Sequence, residues 1–396
     1  MDGFISGLRE TLSGKKILVG LTYTRYIDKA IEFTRQLVET RASVSIVLSS
    51  RLERHLSPEI IGYLTRTNNV YSANDTHYLE DVVGDIDLMV ITPCSLDVLS
   101  SIVYGVSMGD PVVETAIAVL GMKHKLVVNP VVPTSIYNSI QYKRLVREFI
   151  EMGGYVVEPV VGDKIEYPPL RDMLYSIDTL ANRDRDLSGY KVLLTIGTTV
   201  EYLDPVKYIT NKYYGELGVA LALELKYRGA EVYMIHGSLD TNPPYGVESI
   251  RVETTREMAK AVREISEKIR PDIAVLASSP SDYRPVSRSQ DKISTRIGEI
   301  SLRLRPTIKT IKSLRVKPCI LVLFSYETTS DPEKLVEKSI AKLQGYNPDI
   351  IVCLNQLARD IACIVHGGER ECIENYYGNT LARKIVDHIA TLIGGE

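Results

Sequence analysis

No apolar run in this chain approaches the roughly 20 residues that a membrane span needs. The longest, KILVGL, LMVIT, ILVLF and IIVCL, are the size of strands. No charged segment followed by an apolar stretch opens the sequence, so a cytoplasmic protein without a membrane partner is expected. Cysteine is sparse: five residues, Cys94, Cys319, Cys353, Cys363 and Cys372, with no CxxC. That pattern predicts buried reduced thiols and speaks against disulfides and zinc. An excess of positive charge is also missing. The formal net charge is −3, which offers no basic face to a nucleic acid. No GxGxxG or GxxxxGK[ST] follows a strand, which leaves out a dinucleotide-type dehydrogenase and a Walker-type site. Tryptophan is absent and tyrosine numbers 24. Together with abundant Ile, Arg and Glu and little Gln, this leans toward a thermophile.

At 396 residues the length prior allows about two domains. After an amphipathic lead-in at 1–14, strands are predicted at 16–21, 44–49, 86–92, 124–130 and 154–159. Helices are predicted between them at 27–40, 58–64, 95–105, 112–121 and 139–152. Short all-apolar strands alternating with helices imply a parallel sheet covered on both faces. This first α/β domain is expected over 15–180, followed by a polar linker, ANRDRDLSG, at 181–189. The rhythm then restarts for a second α/β domain at 190–396. Its strands are expected at 191–196, 231–235, 272–277, 319–324 and 349–354, with helices at 215–228, 254–268, 306–314, 331–344 and 378–393. Residues 285–305 break the pattern: a charged loop, then an alternating strand through Ile300, Leu302 and Leu304. The fold class is α/β, two tandem doubly wound parallel-sheet domains, flavodoxin-like and then Rossmann-like.

Residues 194–218, LTIGTTVEYLDPVKYITNKYYGELG, join an apolar strand, a glycine turn and a helix start. Backbone N–H groups and a helix dipole converge in such a unit, which favours phosphate. In open α/β sheets ligands bind beyond the carboxyl ends of the strands. In the second domain those ends carry IGTTVEYLDPVKYITN, ASSPSDYRP, DKIST and FSYET.

These blocks resemble the phosphopantothenate–cysteine ligase domain, and the upstream domain resembles its usual fusion partner, the flavin-dependent phosphopantothenoylcysteine decarboxylase. Together they resemble the bifunctional coenzyme A biosynthesis family over about residues 15–393. The family pattern GxTxExLDPVRxIxNxSSGxMG is met by Gly197, Thr199, Glu201, Leu203, Asp204, Pro205, Val206, Lys207, Ile209, Asn211, Gly215 and Gly218. AxVADYRP is met by Ser279 to Pro285, KIKK by Lys292 with Ile293, GFAAET by Leu323 to Thr328, and AxxKLxxK by Ala341 to Leu343. Ser294, Thr295 and Tyr346 stand where the family has lysines.

The resemblance implies a two-step reaction. CTP with Mg²⁺ activates phosphopantothenate to an acyl-cytidylate, and the cysteine amine then displaces CMP. It implies Asn211 and Lys292 as catalytic residues, with Lys292 neutralising phosphate charge and Asn211 orienting the acyl carbonyl. Nucleotide contacts fall to Gly197, Ala277, Ser278, Asp282, Phe324, Ser325, Tyr326, Glu327 and Lys342, with Asp282 also a possible metal contact. Thr199, Gly215 and Gly218 line the phosphate or substrate. Read alone, Asn211 is a helix cap or turn residue, and Asp282 and Lys292 are solvated loop charges.

In the first domain the resemblance implies FMN, with Thr24, Ser49, Ser95 and Asp97 as flavin contacts and His77 as the catalytic histidine. Two family elements are replaced. Pro133 stands where an asparagine grips the substrate carboxylate, and GDKIEYPPLRDM, near 158–173, has no cysteine for the lid. Proline has no amide side chain to offer, so little or no decarboxylation is expected. A fully bifunctional enzyme with a rebuilt lid and a non-catalytic nucleotide-binding scaffold remain as other readings; retention of both Asn211 and Lys292 separates the ligase from the scaffold. The resemblance also implies a homo-oligomer, of ligase dimers and flavodomain trimers.

Overall fold

The computed structural model describes residues 2–72, 75, 82–212, 215–355 and 360–394, with the backbone alone for 2–4. The chain divides into two compact units, Met1–Asp184 and Arg185–Glu396.

In the first unit the strands are β1 (Lys16–Leu21), β2 (Ser43–Leu48), β3 (Val70–Tyr71), β4 (Leu88–Cys94), β5 (Lys125–Pro130) and β6 (Tyr155–Val156). They form one sheet in the order β3-β2-β1-β4-β5-β6, and every pair is parallel. β4 is buried along its whole length, as a strand covered on both faces must be. The chain winds outward through β2 and β3, then returns to lay β4 beside β1. The loops after β1 and β4 therefore diverge and open a crevice between them. A small antiparallel hairpin follows, β7 (Val160–Val161) and β8 (Ile165–Glu166). Next comes the helix Leu170–Asn182, which is absent from the sequence expectation and is buried along most of its length. The expected strand at 154–159 shrinks to β6, because its second half turns away toward this hairpin. Residues 2–12 are helical, with Leu8 and Leu12 buried in this unit.

The second unit repeats the plan. Its first strands are β9 (Lys191–Ile196), β10 (Val200–Tyr202), β11 (Tyr208–Thr210), β12 (Glu231–His236), β13 (Glu248–Arg251) and β14 (Ile273–Leu276). Then come β15 (Tyr283–Pro285), β16 (Leu304–Pro306), β17 (Ile320–Glu327), β18 (Ile350–Asn355), β19 (Ile361–His366) and β20 (Glu369–Glu374). The main sheet runs β13-β12-β9-β14-β17-β18-β19-β20. It is parallel as far as β18 and closes with antiparallel β19 and β20. Here the switch point lies between β9 and β14.

Further expectations are corrected. Residues 306–314 do not form a helix: β16 ends at Pro306 and only Thr310–Ser313 turns, as a 3₁₀ helix. Pro306 and the β-branched Thr307, Ile308, Thr310 and Ile311 disfavour an α-helix, and the Thr307 N–H donates instead to the Asp282 carbonyl at 2.9 Å. The strand expected through Ile300, Leu302 and Leu304 is confined to β16, with Ile300 and Leu302 exposed outside it. Finally, Cys363 and Cys372 form a disulfide. Antiparallel register sets them directly opposite each other, across a turn whose Gly367 and Gly368 both take positive φ, as tight hairpin turns require. Residues 181–189 are also more than a tether. Ala181 and Asn182 end a helix, Leu187 is fully buried, and Asp186 pairs with the buried Arg228.

Candidate functional site

The segment after β9 is held open by a glycine that nothing larger can replace. Gly197 has φ +80°, and a Cβ there would lie 2.7 Å from the Ser238 carbonyl oxygen. Thr198 beyond it bridges to both Ser238 and Ser279, which fastens the loop after β9 to the loop after β14. Thr199 is fully buried. Its hydroxyl meets that of Thr255 at 2.7 Å and accepts from the Ser281 N–H at 2.9 Å. The turn between β10 and β11 is braced by Asp204. Its carboxylate accepts from the N–H of Val206 and of Lys207 and from Lys207 Nζ, each at 2.7 Å, and from the Ile293 N–H at 2.9 Å. The Lys207 hydrogen bond, aided by those backbone donors, holds the Asp204 carboxyl well below the usual carboxylate range.

Beyond this turn, at the switch point, lies a cavity of about 380 Å³. Asn211, Lys212, Ser278, Asp282, Lys309 and Lys342 give its wall its polar and charged groups, with Phe324 and Tyr326 beneath. Asn211 Nδ2 donates to the Pro280 carbonyl at 2.9 Å and lies 3.3 Å from Ser279 Oγ. Its Oδ1 has no partner among the described residues. Asp282 pairs with Lys309. Lys342 lies 3.4 Å from Glu327, whose other contact is the buried Ser325 hydroxyl at 3.0 Å. Tyr326 donates to the Ala277 carbonyl at 2.9 Å, tying β17 to the end of β14.

The first unit has a corresponding cavity of about 590 Å³ at its own switch point. Tyr23 to Tyr26 enter it from the loop after β1, Ser95 from the end of β4, and Val131 to Thr134 from the end of β5. Ser95 is the N-cap of the helix Leu96–Tyr104 yet makes no side-chain cap bond. Its size and largely apolar wall suit a flavin-sized group. Cys94, behind this wall, is buried, and burial pushes its thiol up.

Two family models match this chain. The DNA/pantothenate metabolism flavoprotein C-terminal domain covers residues 187–392, and the flavoprotein model covers residues 5–181. The chain belongs to the DNA/pantothenate metabolism flavoprotein family. It is similar to the coenzyme A biosynthesis bifunctional protein CoaBC of Thermococcus kodakarensis, 27% identical over 351 residues, 86% of this chain and 85% of that protein. It is also similar to the protein of the same name from Bacillus subtilis, 26% identical over 359 residues, 86% of each. Among solved structures, the C-terminal domain of a CoaBC protein is 27% identical, with a TM-score of 0.45, covering 54% of this chain and all of that one.

In this family member's second unit, one cavity gathers Asn211, Ser278, Asp282, Phe324, Tyr326 and Lys342 from the residues named by sequence. Gly197, Thr199, Gly215, Gly218, Ala277, Ser325 and Glu327 lie outside its wall. The Gly215 N–H, expected to face phosphate, donates to Asp240 at 2.8 Å, and Gly218 is buried within the helix Glu216–Tyr227. Lys292 is exposed on the arm between β15 and β16. The arm is tied down there by the Asp204 carboxylate at Ile293 N and by Lys207 Nζ at the Ile293 carbonyl, 2.9 Å each. Among the wall residues that sequence reasoning missed is Lys309, whose segment read as helix. In the first unit Thr24 and Ser95 line the cavity. Ser49 instead caps the helix Ser50–Glu53 by accepting from the Leu52 N–H, and Asp97 is exposed outside the wall. His77 lies outside the described residues.

Proposed function

We propose that this chain is a coenzyme A biosynthesis enzyme whose second unit joins 4′-phosphopantothenate to cysteine at the expense of a nucleoside triphosphate, CTP, carried with Mg²⁺. The observation behind this is the meeting of Asn211, Asp282 and Lys342 in one cavity at the switch point. The substrate carboxylate attacks the α-phosphorus, and pyrophosphate leaves. The cysteine amine then attacks the acyl carbon, an amide forms, and CMP departs with the former carboxylate oxygen.

The first step gathers negative charge from a triphosphate and a carboxylate, so it needs fixed cations. Lys309 and Lys342 supply them, and the charge-neutralising role expected of Lys292 is assigned to Lys309. Asp282 holds the nucleotide or its metal ion. With Asn211 Nδ2 engaged by the Pro280 carbonyl, Oδ1 is the atom left to accept from the incoming amine and aim it at the acyl group. Amide formation from phosphopantothenate and cysteine, with matching CMP and pyrophosphate, is the test; no turnover with any of four nucleoside triphosphates removes the reading.

The fused first unit is a decarboxylase-type flavodomain, with FMN its expected cofactor and Thr24 and Ser95 among the residues that would hold it. When bound, a flavin would supply oxidation at the thiol-bearing carbon, which loosens an adjacent carboxylate. A yellow protein with a flavin visible spectrum is expected, and the working enzyme is expected to be a homo-oligomer.

A further inference from the structure

The first unit's cavity carries a charge imbalance that the flavodomain reading leaves unused. Arg25, Arg51 and Lys164 line it, and its wall contains no Asp or Glu among the described residues. None of the three pairs with a carboxylate among the described residues. Arg25 and Arg51 are steadied by aromatic faces, 5.6 Å from the Tyr26 ring and 5.4 Å from the Tyr23 ring respectively. Lys164 comes from the turn of the β7–β8 hairpin. That turn is pinned at both flanks. Tyr26 donates through its hydroxyl to the Ile165 carbonyl at 3.0 Å, and Thr134 Oγ1 lies 3.4 Å from the Asp163 carbonyl.

Three exposed cations gathered around one cavity, with no carboxylate among its described wall residues, favour an anionic ligand. A flavin phosphate, a dianion, is matched in charge by two of them and leaves one positive charge over. The wall formed by Val131, Val132 and Pro133 has no side-chain donor, and the Thr134 hydroxyl is turned to the hairpin. We propose that Lys164 takes the carboxylate of the cysteinyl ligand in this cavity, in place of the amide that Pro133 lacks. Pairing of this kind stabilises the bound carboxylate relative to neutral CO₂ and so favours retention of the ligand over its breakdown.

The inference rests on the flavodomain reading, and the test separates the two. Full-length protein loaded with FMN is titrated with phosphopantothenoylcysteine and with 4′-phosphopantetheine, the same molecule lacking the carboxylate, while the flavin visible spectrum reports binding. The wild type should prefer the carboxylate ligand. Lys164→Met should weaken that ligand about ten- to a hundredfold, the loss of one charge-assisted hydrogen bond. It should leave 4′-phosphopantetheine unchanged, and Lys164→Arg should restore most of the preference. Equal weakening of both ligands, no weakening of either, no preference in the wild type, or loss of flavin by Lys164→Met overturns the assignment. Failure of the wild type to hold FMN at all overturns the flavodomain reading itself, and this proposal with it.

Discussion

Asp282 and Lys309 form an ion pair in the wall of the second unit's cavity. The pairing depends on the antiparallel contact of β15 with β16, which registers Tyr283 against Pro306 and lets Thr307 donate to the Asp282 carbonyl. Both side chains are more than half exposed, so the pair itself adds little stability, and its worth lies in where it places the two charges. Lys309→Met is expected to raise KM for the nucleoside triphosphate about tenfold or more, the cost of one phosphate contact. Lys292→Met should change it less. Steady-state kinetics of the two variants side by side checks the assignment, and the reverse ranking would return the role to Lys292.

Asn211→Asp keeps the shape of the side chain but removes the donor to Pro280 and sets a carboxylate against carbonyl oxygens. Activation should proceed and amide formation should stall, so pyrophosphate release outruns CMP release. Loss of the hydrogen bond should also cost about 1–3 kcal/mol of stability. Rapid-quench measurement of both products checks the split; equal release of the two would show that Asn211 is not the residue that handles the amine.

Asp204 couples the β10–β11 turn to the arm at Ile293, and its folded-state pKa is depressed, first by Lys207. A depressed carboxyl contributes stability that is fully present above the unfolded value, about 3.9, and is lost as pH falls through the folded value. Asp204→Asn should therefore flatten the acid limb of stability below about pH 4. Denaturant melts from pH 7 down to pH 2 check the slope, and parallel curves for variant and wild type would contradict it.

Arg228 is the largest fully buried side chain among the described residues. Its guanidinium meets Asp186 and, at 2.7 Å, Asp387, with Glu224 at 3.6 Å. Arg228→Met leaves the buried Glu224 with Arg383 at 3.7 Å and frees the partly solvated Asp186 and Asp387, which should cost about 3 kcal/mol, the low end for a broken buried ion pair. Equilibrium unfolding monitored by circular dichroism measures it.

The sequence revealed both parallel sheets and the strand ends that carry the polar motifs, because buried parallel strands carry continuous apolar runs; the switch points follow from the strand order, which the sequence does not show. Asn211, Asp282 and Lys342 could be grouped from their motifs alone. Lys309 could not, since TIKTIK has apolar residues that fit a helix as well as an extended segment, and a backbone bond to Asp282 decides between them. The Cys363–Cys372 bridge was likewise hidden, because it depends on the register of two short strands rather than on any cysteine motif. Thr199 and Gly215 looked like phosphate ligands in a polar glycine-rich stretch; their partners, Thr255 and Asp240, lie 25 residues or more away. Such distant pairing leaves no local signal.

The central claim is that the second unit's cavity builds an acyl–nucleotide anhydride. Phosphopantothenate labelled with ¹⁸O in its carboxylate follows that oxygen directly. The account predicts one labelled oxygen in the nucleoside monophosphate after amide formation, with none in pyrophosphate. Label in inorganic phosphate, or none in the nucleoside monophosphate, would contradict it.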